Sequence, residues 1–188
     1  MVVGIPTEIA ANETRVAVIP ATVKELVKKG FIVNIQAGAG KGSFISDDDY
    51  IESGANIITS VSDLYGSSEL VLKVNPPEMN NEEGKHEVDL MNSGSAFISF
   101  IQTTKDLDEV KKLQNNKITA FSMHLVPRTT LAQKMDALSS QSNIAGYKAV
   151  LIGASHISKY MPLLMTAAGT IKPSKTLVIG AGVAGLQA

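Results

Sequence analysis

The chain has 188 residues, of which 44% are apolar, enough for one domain of ordinary size or one domain and part of another. With 17 basic and 18 acidic residues its formal net charge is -1, so bulk electrostatics steer it toward neither nucleic acid nor an anionic membrane. It has no cysteine, which excludes disulfides, thiolate metal sites and a cysteine nucleophile, and its three histidines, His86, His124 and His156, lack the spacing of metal ligands.

From the first residues onward, short β-rich runs alternate with helical segments. The runs are VVGIP from Val2, FIVNIQ from Phe31, ANIIT from Ala55, ELVLKV from Glu69, AFISFI from Ala96 and ITAFSM from Ile118. PATVKELVKKG reads as a helix with Pro20 near its start, Gly30 at a left-handed cap and Val23, Leu26 and Val27 inward. TTKDLDEVKKLQNN from Thr103 reads as another, with a threonine N-cap and Leu107, Val110 and Leu113 inward. This alternation predicts an α/β fold, a Rossmann-like (flavodoxin-like) doubly wound parallel sheet. GAGKGS from Gly38 lacks the spacing of a phosphate loop and reads as a turn; Lys73 sits near the end of a buried strand, where parallel sheets gather their ligands, but its pattern favours a lysine reaching from the strand end to solvent.

After Val126 the pattern changes. Thr130 to Ser158 reads as one long helix, with Gln133, Asp136, Ser140, Asn143 and Tyr147 in a polar stripe opposite Leu131, Leu138, Ala145 and Ala149. Amides, hydroxyls and one carboxylate without the usual lysines and glutamates suggest a face directed at something specific. The small residues Ala145, Gly146, Ala149 and Gly153 would admit a close backbone neighbour. TAAGTIKPSK then reads as a connector and TLVIGAG as a new buried strand. The predicted organisation is a first Rossmann-like subdomain over 1–128, a long linking helix and connector over 129–170, and the truncated start of a second Rossmann subdomain over 171–188.

Gly180, Gly182 and Gly185 form G-x-G-x-x-G between a predicted strand and a predicted helix, the context in which glycines cradle a dinucleotide pyrophosphate. No apolar run approaches the roughly 20 residues of a spanning helix, and no secretory pattern opens the chain, so the expectation is a soluble intracellular protein.

Three stretches, GIPTEIAANETRVAVIP from Gly4, PRTTLAQKMDALSSQSNIAGYKAV from Pro127 and MTAAGTIKPSKTLVIGAGVAGLQA from Met165, resemble the alpha subunit, or domain I, of proton-translocating NAD(P) transhydrogenase. The resemblance covers the whole chain but about the first half of that domain, so it implies a truncated part of the subunit. It further implies NAD(H) bound in this domain and NADP(H) on a partner domain. Arg128, Gln133, Asp136 and Ser139 match the positions at the nicotinamide end, and Gly180, Gly182 and Gly185 those at the pyrophosphate. It also implies a homodimer docked on NADP(H)-binding and transmembrane domains or subunits, peripheral at the cytoplasmic face of the inner membrane. Leu131 and Lys134 depart from an arginine and a serine common in the family.

The related alanine dehydrogenases are the alternative, and Arg15 and Lys73 match their carboxylate anchors. Their histidine, however, falls at Gln102, and an amide does not shuttle protons at neutral pH. Hydride transfer between two nicotinamides needs alignment and no acid or base, so no catalytic residue is assigned. A third expectation is a dimerising fragment that cannot hold NAD(H) alone.

Overall fold

A computed structural model describes residues Met1–Ala188. The chain forms two compact units, Met1–Leu125 and Val126–Ala188.

In the first unit β1 (Val2–Ile5) leads through α1 (Pro20–Lys28) to β2 (Ile32–Gln36), then through α2 (Asp47–Glu52) to β3 (Asn56–Ile58) and through α3 (Val61–Ser67) to β4 (Leu70–Leu72). A small hairpin, β5 (Met79–Asn80) with β6 (Lys85–His86), and α4 (Glu87–Leu90) precede β7 (Ala96–Ser99), α5 (Leu107–Asn115) and β8 (Thr119–Ser122). All six predicted strands are present, and they form one parallel sheet in the order β3-β2-β1-β4-β7-β8. Of the two common doubly wound orders this is the Rossmann one, with the reversal between β1 and β4, and not the flavodoxin one.

The core falls into two clusters. Val3, Ile5, Val33 and Ile35 of the sheet pack with Val23 of α1 and Tyr50 of α2. Val71 and Phe97 pack with Val61 and Tyr65 of α3, Val88 of α4 and Leu113 of α5. α1 and α2 thus pack in one cluster and α3 to α5 in the other, as right-handed crossovers would place them. The buried strands read as unbroken apolar runs because both faces are covered.

Local signals explain the helix ends, with two corrections. Gly30 adopts φ 84°, and its N–H donates to the Val27 carbonyl, as a left-handed cap requires. The second helix begins at Leu107 rather than on a threonine cap, because Asp106 turns its side chain back to accept the Gln102 N–H. Leu107, expected inward, is therefore exposed, while Leu113 is buried. The GAGKGS stretch is a turn over its first three residues, as expected, and runs into a short 3-10 helix over Lys41–Ser43.

The second unit departs further from expectation. The predicted single helix from Thr130 is a 3-10 turn over Thr130–Met135 followed by α6 (Ala137–His156), broken at Asp136. Aspartate competes with the backbone inside a helix and is favoured at its start. Asp136 has left helical geometry (ψ 74°), and its carboxylate accepts the Ser139 N–H. Gln133 and Asp136 thus lie before the helix, and only Ser140, Asn143 and Tyr147 of the polar stripe ride on it. Neither of the two stripes is packed away: Gly146 is the one buried residue of α6, and Leu131 is fully exposed.

The predicted connector contains an antiparallel hairpin, β9 (Leu164–Thr166) with β10 (Gly169–Ile171). The predicted first strand of a second domain does not form. Thr176–Ile179 has no hydrogen-bonded neighbour strand, and a β-strand is defined by one. Beyond the glycines lies α7 (Val183–Gln187).

Candidate functional site

Open parallel sheets gather ligands at the carboxyl edge where strand order reverses. In the first unit that is the edge between β1 and β4, and the loops leaving these strands carry Glu8, Glu13, Arg15, Lys73 and Asn75. Lys73 is only 5% exposed. Its ammonium donates to both oxygens of Glu87 at 2.7 and 2.6 Å and lies 3.8 Å from Glu8. Glu87 also accepts the Tyr65 hydroxyl at 2.7 Å and the Glu78 N–H at 2.9 Å. Glu8 accepts the backbone N–H groups of Val74 and Asn75 at 2.5 and 3.2 Å. Burial pushes the Glu8 carboxyl above its ordinary value against the opposing pull of Lys73 and the two amides. Burial, with the Glu87 charge, also pushes the Tyr65 hydroxyl well up.

Lys73 is therefore not a lysine reaching for solvent. Two acids surround its ammonium inside the fold.

Arg15 is exposed and clamps an acid, Glu13. Its Nε and Nη2 donate to the two oxygens of Glu13 at 2.8 and 2.6 Å, and the Asn75 side-chain amide donates to Glu13 at 2.9 Å. The Arg15 hydrogen bonds are the main reason that Glu13 is lowered to about 2. Because the folded value lies below the ordinary 4.5, the clamp is fully present above about pH 4.5 and is lost as pH falls toward 2. Urea unfolding of the wild type and Glu13→Gln is expected to show the variant less stable at pH 6, with the difference closing below pH 3. A pH-independent difference would mean that the carboxylate charge does not stabilise the loop. Gln102 lies exposed in the turn after β7, its N–H given to Asp106.

In the second unit, Arg128, Gln133 and Asp136 line one cleft of about 210 Å³ together with Pro127, Thr129 and Thr130. Ser139 joins them through Asp136, whose carboxylate accepts the Ser139 N–H at 3.0 Å and its hydroxyl at 2.6 Å. These two bonds, with a contribution from Arg128, hold the Asp136 carboxyl below its ordinary value. The four positions thus share one cluster containing a cation, a neutral amide and a carboxylate kept ionised.

The three glycines have three different geometries. Gly180 has φ 111°, a conformation that side chains rarely adopt. A Cβ on Gly185 would stand 2.0 Å from the Gly180 carbonyl oxygen, so the helix closes directly on the turn. A Cβ on Gly182 would meet nothing within 4 Å, so the surface there is open. Turn, close packing and open approach are the three roles such a fingerprint needs.

Two features were beyond the motifs. Glu87 and Lys73 pair across 14 residues, which no local pattern signals. Among the four small residues of α6, Gly146 is set apart because Ala184 of α7 lies against it.

Family models match two segments: the alanine dehydrogenase/PNT N-terminal domain over residues 4–145 and the alanine dehydrogenase/PNT C-terminal domain over residues 149–188. The chain is 44% identical over 188 residues to an NAD(P) transhydrogenase alpha-subunit protein of Rhodospirillum rubrum, covering 100% of this chain and 49% of that one. A solved structure of transhydrogenase from Sinorhizobium meliloti superposes with a TM-score of 0.92 at 39% identity, over 100% of this chain and 54% of the other. A solved L-alanine dehydrogenase gives 0.83 at 29%, over 100% of this chain and 50% of the other. The chain thus spans about half the length of these proteins.

Proposed function

The chain belongs to the alanine dehydrogenase/PNT family, and from that premise we propose that it is the N-terminal part of the NAD(H)-binding alpha subunit of a proton-translocating transhydrogenase. The intact subunit then catalyses reversible hydride transfer from NADH to NADP⁺, coupled to proton translocation by a membrane partner. Residues 1–128 serve as a first subdomain, 129–170 as the link and 171–188 as the opening of the cofactor subdomain. The observation that carries the reading is the cleft that groups Arg128, Gln133 and Asp136, with Ser139 bonded to Asp136.

The residues present suit a nicotinamide dinucleotide. Open space above Gly182 admits a pyrophosphate to the backbone. At the cleft, Gln133 offers both a donor and an acceptor to a carboxamide, Asp136 an acceptor and Arg128 a cation. Bound NADH supplies the hydride. The protein's part is orientation, and because Asp136 is held as a carboxylate it positions a donor rather than delivering a proton. NADP(H) belongs on a partner domain, and the subunit works as a homodimer at the cytoplasmic face of the inner membrane. No helix of this chain is long and apolar enough to cross a membrane.

The internal pairing of Lys73 and the amide at Gln102 both weigh against an alanine dehydrogenase, which must anchor a keto acid and move a proton. The test uses the full-length subunit with its NADP(H)-binding partner and follows hydride transfer from NADH to NADP⁺, then adds pyruvate and ammonia with NADH. Transfer in the first assay and none in the second is expected, and robust turnover of pyruvate would overturn the reading. The 188-residue chain alone is expected to be a dimerising piece without micromolar affinity for NADH, checked by the fluorescence of added cofactor.

A further inference from the structure

We propose that α6 acts as a spacer for the cofactor, with Gly146 and Asn143 fixing where the glycine turn lies relative to the cleft at the start of the same helix. The proposal rests on the reading of these two places as parts of one NAD(H) site. Asp136 caps α6 and Gly146 lies ten residues further on, which at about 1.5 Å per residue places them roughly 15 Å apart along the axis.

At Gly146 the backbone of α7 lies directly on α6. A Cβ there would stand 2.1 Å from the Ala184 carbonyl oxygen and 2.9 Å from its Cα, so no side chain larger than hydrogen fits. Three residues earlier, on the same face of α6, the Asn143 amide donates to the side-chain oxygen of Gln187 at 2.9 Å. Ala184 and Gln187 are themselves three apart on α7. The two helices are therefore joined at two points, which fix both the position and the direction of α7.

Gly185 in turn packs on the Gly180 carbonyl, so α7 and the glycine turn move as one body. What holds α7 then holds the turn. Smallness alone does not explain Gly146, since a Cβ on Gly153 of the same helix would meet nothing within 4 Å.

A ligand that touches only the turn should be indifferent to this spacing, whereas one that spans both ends should not. The test is made in the full-length subunit with NADH and with ADP-ribose, which lacks the nicotinamide. For Gly146→Ala the expected result is NADH binding weakened about tenfold with ADP-ribose changed less than about twofold. Equal weakening of both ligands would mean that the turn itself is broken, and no change in either that the spacing is unimportant; both results overturn the proposal. Where Gly146→Ala does not fold, Asn143→Ala carries the same comparison, because Asn143 is exposed and its loss creates no clash. Asn143→Ala/Gln187→Ala should then be no worse than either single change. Failure of the wild-type subunit to bind NADH would instead count against the functional reading.

Discussion

Replacing Lys73 with methionine is expected to lower the unfolding free energy by about 3–5 kcal/mol, the usual cost of leaving a buried charge without its partner. The lost ammonium is the counter-ion of Glu87 at 2.6 Å and a neighbour of Glu8 at 3.8 Å, and all three side chains are almost fully buried. A domain of this size is stable by only about 5–15 kcal/mol, so about a fifth or more of its margin goes. The sign of the pH dependence follows from the charges. Without Lys73 the charge that opposes burial at Glu8 is gone, so the Glu8 folded value rises further above the unfolded one, and stability is lost as pH rises through it. The deficit should therefore be largest near pH 7 and shrink toward pH 5, as read by urea titration at each pH. Adding Glu87→Gln should restore part of it at pH 7. A deficit below about 1 kcal/mol would show that water reaches the cluster and screens it.

The second large effect concerns the fingerprint, where two alanines should fail differently. Gly185→Ala places a methyl 2.0 Å from the Gly180 oxygen, and the turn must open to admit it. A displacement of about 1 Å at a positioning element can cost about 100-fold. Hydride transfer by the full-length subunit should slow by that order, with weaker NADH binding and a lower melting temperature. Gly182→Ala meets nothing in the free protein and should leave the melting temperature unchanged while still weakening NADH, because its methyl occupies the open approach. If the two variants bind NADH as tightly as the wild type, the turn is not the pyrophosphate site.

What the sequence makes legible follows the range of the interaction. The six sheet strands of the first unit are legible because burial on both faces writes each as a local apolar run, and the glycine turn because Gly180 and Gly185 answer local constraints. The role of Lys73 is not, since its partner Glu87 lies beyond a hairpin and the lysine's own pattern favours solvent. The helix from Thr130 looks longer in the sequence than it is because Gln133 and Asp136 continue its polar period by chance of spacing. The decisive signal is Asp136 with Ser139 three residues on, a helix start inside the pattern. The stretch from Thr176 has the composition of a strand, but pairing is supplied by a neighbour and not by composition.

Thr176–Ile179 has free backbone donors and acceptors along its length. It is uncharged and strand-forming in composition, with Leu177 at 83% and Ile179 at 92% exposure. Such a segment is a template on which another copy can add a strand. Thr176–Ile179 is thus the stretch of the second unit whose backbone groups a further strand can satisfy.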